Sequence, residues 1–197
     1  MERRNLHELQ YISPINNLRS IRDHGILSHN RSKRITHISV ADEEVQERRT
    51  RKVVLQERTL HDYANLYFNA RNPMLYRLVN NNAEVCVLRI NTSVLDIPDV
   101  VIADRNASSG WASFYPVHTG LGMINEELVF ARYWTNPNDI HDEWTRKSCI
   151  CAEVLVPDRV DVQLIQGVYV PTENAARRVF EMWSSVNVTI NRVLFFQ

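Results

Sequence analysis

Residues 146–156 read "RKSCICAEVLV", and how this stretch is read decides the fold. The apolar run of Cys149, Ile150, Cys151, Val154, Leu155 and Val156 predicts a β-strand with a carboxylate, Glu153, inside it. Strand side chains alternate faces, so Glu153 would share a side with Cys149, Cys151 and Leu155, while Ile150, Ala152, Val154 and Val156 take the other. An unpaired carboxylate buried there is costly. Two readings follow: an edge strand whose carboxylate faces water, the common fate of acidic side chains, or a strand whose carboxylate is paired, protonated or set in a cleft where a ligand uses it.

Working outward, 197 residues with 44% hydrophobic content can enclose a full core. There is no internal repeat, low-complexity segment or Gly/Ser/Pro-rich linker, so one domain over residues 1–197 is expected. The 23 basic and 23 acidic residues cancel, and any nucleic-acid contact must come from local patches. Cys86, Cys149 and Cys151 are odd in number with no export signal before them, which predicts reduced thiols in a cytoplasmic protein. Cys149 and Cys151 lack the second ligand pair of a zinc site and are expected to pack within the strand. No window approaches the roughly 20 apolar residues of a membrane span, so no membrane partner is expected.

"SPINNLRSIRDHG" (13–25) predicts a helix with Ser13 as N-cap, Pro14 in its first turn, Ile15, Leu18 and Ile21 on its apolar face and Gly25 at its end. "ADEEVQERRTRKVV" (41–54) predicts a short helix with Asp42, Glu43 and Glu44 at its N-terminus and Arg48, Arg49, Arg51 and Lys52 toward its C-terminus. "LHDYANLYFNARNPMLY" (60–76) has no clean period before Pro73 and reads as an aromatic binding loop carrying His61, Asp62, Tyr63, Tyr67 and Arg71. "AEVCVLRI" (83–90) and "DVVIAD" (99–104) predict buried strands, and "INEELVFARYW" (124–134) a helix or mixed element. "VDVQLIQGVYV" (160–170), a helix "TENAARRVFEMWSS" (172–185) capped by Thr172, and a strand "VNVTINRVLFF" (186–196) complete an α+β chain, helices gathered early and strands late. The absence of GxGxxG, Walker, HExxH and G-x-S-x-G motifs removes the usual support for Rossmann, P-loop, zincin and α/β-hydrolase chemistry.

The segments "LQYISPINNLRSI", "VQERRTR", "LHDYANLYFNARNPMLY", "VVIADRNA", "ARYW" and "KSCICAEVLV", in this order, resemble the DarT family of DNA ADP-ribosyltransferase toxins. The likeness runs from about residue 9 to about residue 170, and the string 60–76 is its most specific part. It implies an ADP-ribosyltransferase-like α+β fold: a split, mainly antiparallel sheet with flanking helices and an NAD+ cleft between sheet edges. It implies transfer of ADP-ribose from NAD+ to a base of single-stranded DNA, which blocks replication, with no metal and with a DarG-like macrodomain antitoxin as partner. Carried over by residue, the catalytic glutamate falls on Glu153 and the NAD+-contacting arginine on Arg49. Tyr11, Ser13, Asn17, Tyr67, Arg71 and Met74 fall in the NAD+ pocket. Asn106 falls near the acceptor base. Apart from the resemblance, single-stranded DNA needs scattered basic residues for its phosphates, and Arg146, Lys147 and Arg132 are candidates for that local patch.

The chemistry suits these residue types. Loss of nicotinamide leaves a ribosyl centre with oxocarbenium character, which a carboxylate stabilises. The same carboxylate can hold a ribose hydroxyl and take a proton from an attacking base nitrogen. Arg49 can offer a diphosphate a bidentate fork, whereas Lys would be a point charge. On this view Glu153→Ala abolishes transfer and leaves the fold intact. One departure stands out: where the family usually carries a histidine in an "HIT"-like motif, this chain reads "YIS", with Tyr11 in that place. His7 lies four residues too early to fill it. A phenol can donate one hydrogen bond but does not become cationic near neutral pH. The family includes thymine- and guanine-modifying members, and the departure favours guanine slightly. Two alternatives remain: the same fold acting on RNA or protein, and a non-catalytic nucleic-acid-binding domain using Arg49, Arg71, Tyr63 and Tyr67, which would show salt-sensitive binding without nicotinamide release.

Overall fold

Short apolar runs broken by turns build the strands β1 (Leu9–Pro14), β2 (Ile26–Leu27), β3 (Tyr63–Tyr67), β4 (Val85–Ile90), β5 (Val101–Ala103), β6 (Phe114–Pro116), β7 (Glu153–Pro157), β8 (Arg159–Val160), β9 (Ile165–Val170) and β10 (Val188–Ile190). Around them lie helices α1 (Leu18–His24), α2 (His29–Ser32), α3 (Glu43–Arg51), α4 (Pro73–Arg77), α5 (Val117–Met123), α6 (Glu126–Val129), α7 (Ile140–Cys149) and α8 (Glu173–Met182). The structure, a computed structural model, describes residues 1–39 and 43–197. The expected N-terminal charge Asp42 lies outside the described residues.

Eight strands form one sheet in the order β10-β9-β4-β1-β3-β7-β5-β6, and β2 pairs with β8 separately. Every pairing in the large sheet is antiparallel except β9 with β10. β1 matches β4 along its whole length, Leu9↔Ile90 to Pro14↔Val85. β1 meets β3 at a single point, Gln10↔Tyr67. The sheet is therefore split there, with Tyr11–Pro14 on one side of the seam and Tyr63–Asn65 on the other.

The larger core fills one face of the sheet. Leu18 and Ile21 of α1 and Ala175 and Val179 of α8 pack against Leu66, Leu88, Val154, Val156 and Val168. This is the apolar face predicted for residues 13–25, and the predicted Thr172 cap is present on α8, where Thr172 Oγ1 accepts from the Ala175 N–H at 3.3 Å. Gly25 closes α1 with φ of 77°, a left-handed conformation that glycine adopts without penalty.

Several expectations are corrected. Ser13 and Pro14 do not start the first helix; they end β1, and one 3-10 turn, Ile15–Asn17, leads into α1. Arg146–Cys149 is not strand but the last part of α7. Asp139 caps that helix by accepting from the His141 and Asp142 N–H groups, and the i,i+4 pairs Asp142–Arg146 and Glu143–Lys147 run along it. Cys149 is thus a buried helix end and Cys151 a buried turn residue, so neither packs within a strand. Glu153 opens β7, which is interior between β3 and β5 and not an edge. The string 60–76 holds strand β3, and strands are spread from Leu9 onward, not gathered late. Of residues 124–134 only Glu126–Val129 is helical.

Candidate active site

The register of the split sheet places the acidic side chain. Glu153 lies opposite Tyr67 on β3 and opposite Ala103 on β5, so the three share one face. That face opens into a cleft of about 610 Å³ along the seam, within the range typical of ligand pockets.

Glu153 is 1% exposed, and its burial is compensated. Arg49 Nη1 donates to Glu153 Oε1 at 3.3 Å and to Oε2 at 3.1 Å. The backbone N–H of Ala107 donates to Oε1 at 2.9 Å. Arg49 is itself 6% exposed. A buried carboxylate with a guanidinium and an amide on it is tolerable where a bare one is not. The Ala107 donor could not be read from the sequence, because a backbone amide carries no residue signature.

Of the residues singled out by sequence, Tyr11, Ser13, Asn17, Arg49, Tyr67, Met74, Asn106, Lys147 and Glu153 all line the cleft. Burial pushes the Tyr11 phenol up to about 12. Burial, with Glu153 second, pushes that of Tyr67 well above its ordinary value. Both rings are neutral hydrogen-bonding groups at any physiological pH. Asn17 is tied to Ile38, which also lines the cleft: Nδ2 donates to the Ile38 carbonyl at 2.7 Å and Oδ1 accepts from the Ile38 N–H at 2.9 Å. Met74 is set by Asn72, which caps α4 by accepting from the Met74 and Leu75 N–H groups, with Pro73 pre-shaping the first turn. Asn106 accepts from the N–H and Oγ of Ser108 at 2.9 and 2.8 Å.

Arg71 and Arg146 are placed elsewhere. Arg71 donates through Nε to the Val193 carbonyl at 3.0 Å and through Nη1 to the Arg132 carbonyl at 2.7 Å, and its guanidinium stacks on Phe196. It ties the C-terminal segment to residue 132 and does not line the cleft. Arg146 is held on α7 by Asp142 at 2.5 Å, also outside the lining. Sequence reasoning gave no role to His29, Gln46 or Trp144, which do line the cleft. Among the described residues, no group of three or more His, Cys, Asp or Glu is placed to hold a metal ion, and no helix is long and apolar enough to cross a membrane.

The family model described as "ssDNA thymidine ADP-ribosyltransferase, DarT" matches residues 10–196. The chain belongs to the DarT family. A DNA ADP-ribosyl transferase–DNA ADP-ribosyl glycohydrolase fusion protein of Thermosipho africanus is 31% identical over 189 residues, covering 93% of this chain and 47% of its own. The chain thus spans about half the length of that relative. The structure of Thermosipho africanus DarTG in complex with ADP-ribose superposes with a TM-score of 0.84 at 29% identity, over 96% of this chain and 51% of that one. Thermus sp. 2.9 DarT in complex with ADP-ribosylated ssDNA gives 0.83 at 25% identity, over 96% of each chain. The split sheet with flanking helices is therefore the DarT fold.

Proposed function

We propose that this DarT-family chain transfers ADP-ribose from NAD+ to a base of single-stranded DNA and releases nicotinamide. The observation that carries the reading is the Arg49–Glu153 pair, buried at the base of an open cleft where the sheet splits. The bond between ribosyl C1′ and the nicotinamide nitrogen breaks, its electron pair leaves with nicotinamide, and C1′ gains oxocarbenium character. Glu153 accepts a hydrogen bond from a ribose hydroxyl. It then takes the proton that the base nitrogen gives up as the new C1′–N bond forms. Arg49 and the Ala107 N–H fix the carboxylate for both tasks. A guanidinium carries several N–H donors, so contact with Glu153 through Nη1 is compatible with a diphosphate oxygen at the others. Tyr11, Ser13, Asn17, Tyr67 and Met74 form the NAD+ wall.

A stacked base is out of reach of such a cleft, which is why the substrate is single-stranded. Asn106 and Lys147 face the acceptor strand. The departure at Tyr11 favours guanine as the acceptor base, while the family description names thymidine. The Thermosipho relative carries a glycohydrolase in the same chain. This supports a DarG-like macrodomain partner that removes the modification, and a toxin role in which ADP-ribose on a base stops replication.

The test incubates the protein with NAD+ and oligonucleotides of varied base content, with RNA and lysate protein alongside, and reads mass and nicotinamide. The expected result is a gain of one ADP-ribose on guanine-containing DNA. A gain on thymine alone replaces the acceptor and keeps the reaction, a gain confined to RNA or protein replaces the substrate class, and salt-sensitive DNA binding without nicotinamide release ends the enzyme reading.

A further inference from the structure

His61 has no part in the transfer step, yet it is 6% exposed and lines the cleft. It sits in the turn Leu60–Asp62, packed against α2 and α3. The turn is rigidly made. Thr59 donates to Asp62 Oδ2 through N–H at 2.9 Å and Oγ1 at 2.8 Å, and Asn30 Nδ2 donates to Asp62 Oδ1 at 2.8 Å. The Leu60 N–H donates to the Lys52 carbonyl at 3.0 Å, joining the turn to the end of α3. From this base His61 Nε2 lies 3.1 Å from Gln46 Oε1, and its ring rests on His29 with centroids 4.1 Å apart. A carbonyl oxygen can only accept, so this contact is a hydrogen bond in the tautomer that carries its hydrogen on Nε2. Gln46 precedes Arg49 by three residues, which puts both on one face of α3.

We infer that His61 is a positioning residue for the transfer reaction, holding Gln46 and thereby the turn of α3 that aims Arg49 at Glu153. The kinetic part rests on the function proposed above; the geometric part does not. The surroundings suit a neutral imidazole. His29 from α2, Lys33 just after it and Arg49 from α3 all oppose a proton on His61, and Asp62 on its own turn favours one. Burial, followed by His29, Arg49 and Lys33, lowers its pKa to about 4.

The experiment uses the whole chain with His61→Ala, His61→Gln and Gln46→Leu, the last keeping the question open to test if His61→Ala does not fold. In nitrogen-labelled protein, the guanidinium N–H signals of Arg49, assigned by their loss in Arg49→Lys, are expected to exchange with solvent about tenfold faster in His61→Ala and Gln46→Leu. In His61→Gln, which restores a donor, they stay near wild type. With NAD+ and an oligonucleotide that the wild type modifies, kcat/KM for NAD+ falls about tenfold in His61→Ala and in Gln46→Leu, and the double variant falls no further. Unchanged Arg49 signals, or additive losses in the double variant, overturn the inference. If wild type modifies nothing, the function reading fails while the Arg49 signals still decide the contact.

Discussion

At Glu153 the sequence could offer only alternatives, because the cost of a carboxylate in an apolar run depends on what lies across the sheet. The structure supplies Arg49 and the Ala107 N–H, and this alters what a substitution tests. Removing the carboxylate leaves Arg49 as a buried cation without its anion, so Glu153→Ala is expected to destabilise the chain by about 3–5 kcal/mol. An inactive Ala variant would therefore confuse unfolding with lost chemistry. Glu153→Gln keeps the shape and an oxygen for the guanidinium, and is expected to cost less than half as much while transfer falls by about three orders of magnitude. Urea unfolding beside oligonucleotide modification checks both; a Gln variant with near-normal transfer would remove Glu153 from the chemistry. Arg71 carries the opposite lesson. Its residue type suited a phosphate, but the side chain lies outside the cleft lining, with Nε and Nη1 on the carbonyls of Val193 and Arg132.

Elements are held in place by residues that never touch the reacting atoms. Asn72 is 0% exposed, accepts from two amides of α4 and donates to the Asn69 carbonyl at 2.9 Å. Asn72→Ala orphans those groups and is expected to cost about 2–3 kcal/mol and to raise KM for NAD+ by loosening Met74; thermal melts and steady-state kinetics check it. At Gly25 a Cβ would stand 2.2 Å from the Val160 carbonyl oxygen at positive φ, so Gly25→Ala is expected to lower stability by about 2 kcal/mol or more. The capped, amphipathic helices α1 and α8 were legible because their period and their ends agree. Strand β3 was not: Ala64 and Leu66 are buried on the core face, but Tyr63, Asn65 and Tyr67 on the cleft face include two aromatic rings where a solvated strand would carry polar residues, which blurs the apolar–polar alternation. Helix α7 was lost for a related reason: its final residues run without a break into the apolar strand, and its charges at i,i+4 signal a helix only once the strand reading is dropped. Glu153, Arg49 and the cleft wall were legible through resemblance; the Gln46–His61 contact, which depends on tertiary approach, was not.

At the scale of the molecule, the seam that makes the cleft also concentrates groups held away from their ordinary protonation, and this sets a pH window for stability. His61 titrates at about 4 folded against 6.5 free, so below 6.5 the unfolded chain binds the extra proton and stability is withdrawn as pH falls toward about 4. Asp62 adds to this with the same sign. Burial pulls its pKa up, but hydrogen bonds from Asn30 and Thr59 outweigh it, and the stability so gained is lost on acidification through the folded value. The alkaline side runs the other way. Burial raises the thiols of Cys86 and Cys151 above their ordinary 9.0 and the phenols of Tyr11 and Tyr67 above 10.0, so the unfolded chain loses protons first and stability falls as pH rises past about 9. The urea midpoint is therefore expected to be flat between about pH 6.5 and 9 and to fall on both sides. In His61→Gln the acid limb should become shallower and the alkaline limb should not change. An acid limb identical in that variant would show that His61 is not among the groups whose protonation drives acid unfolding.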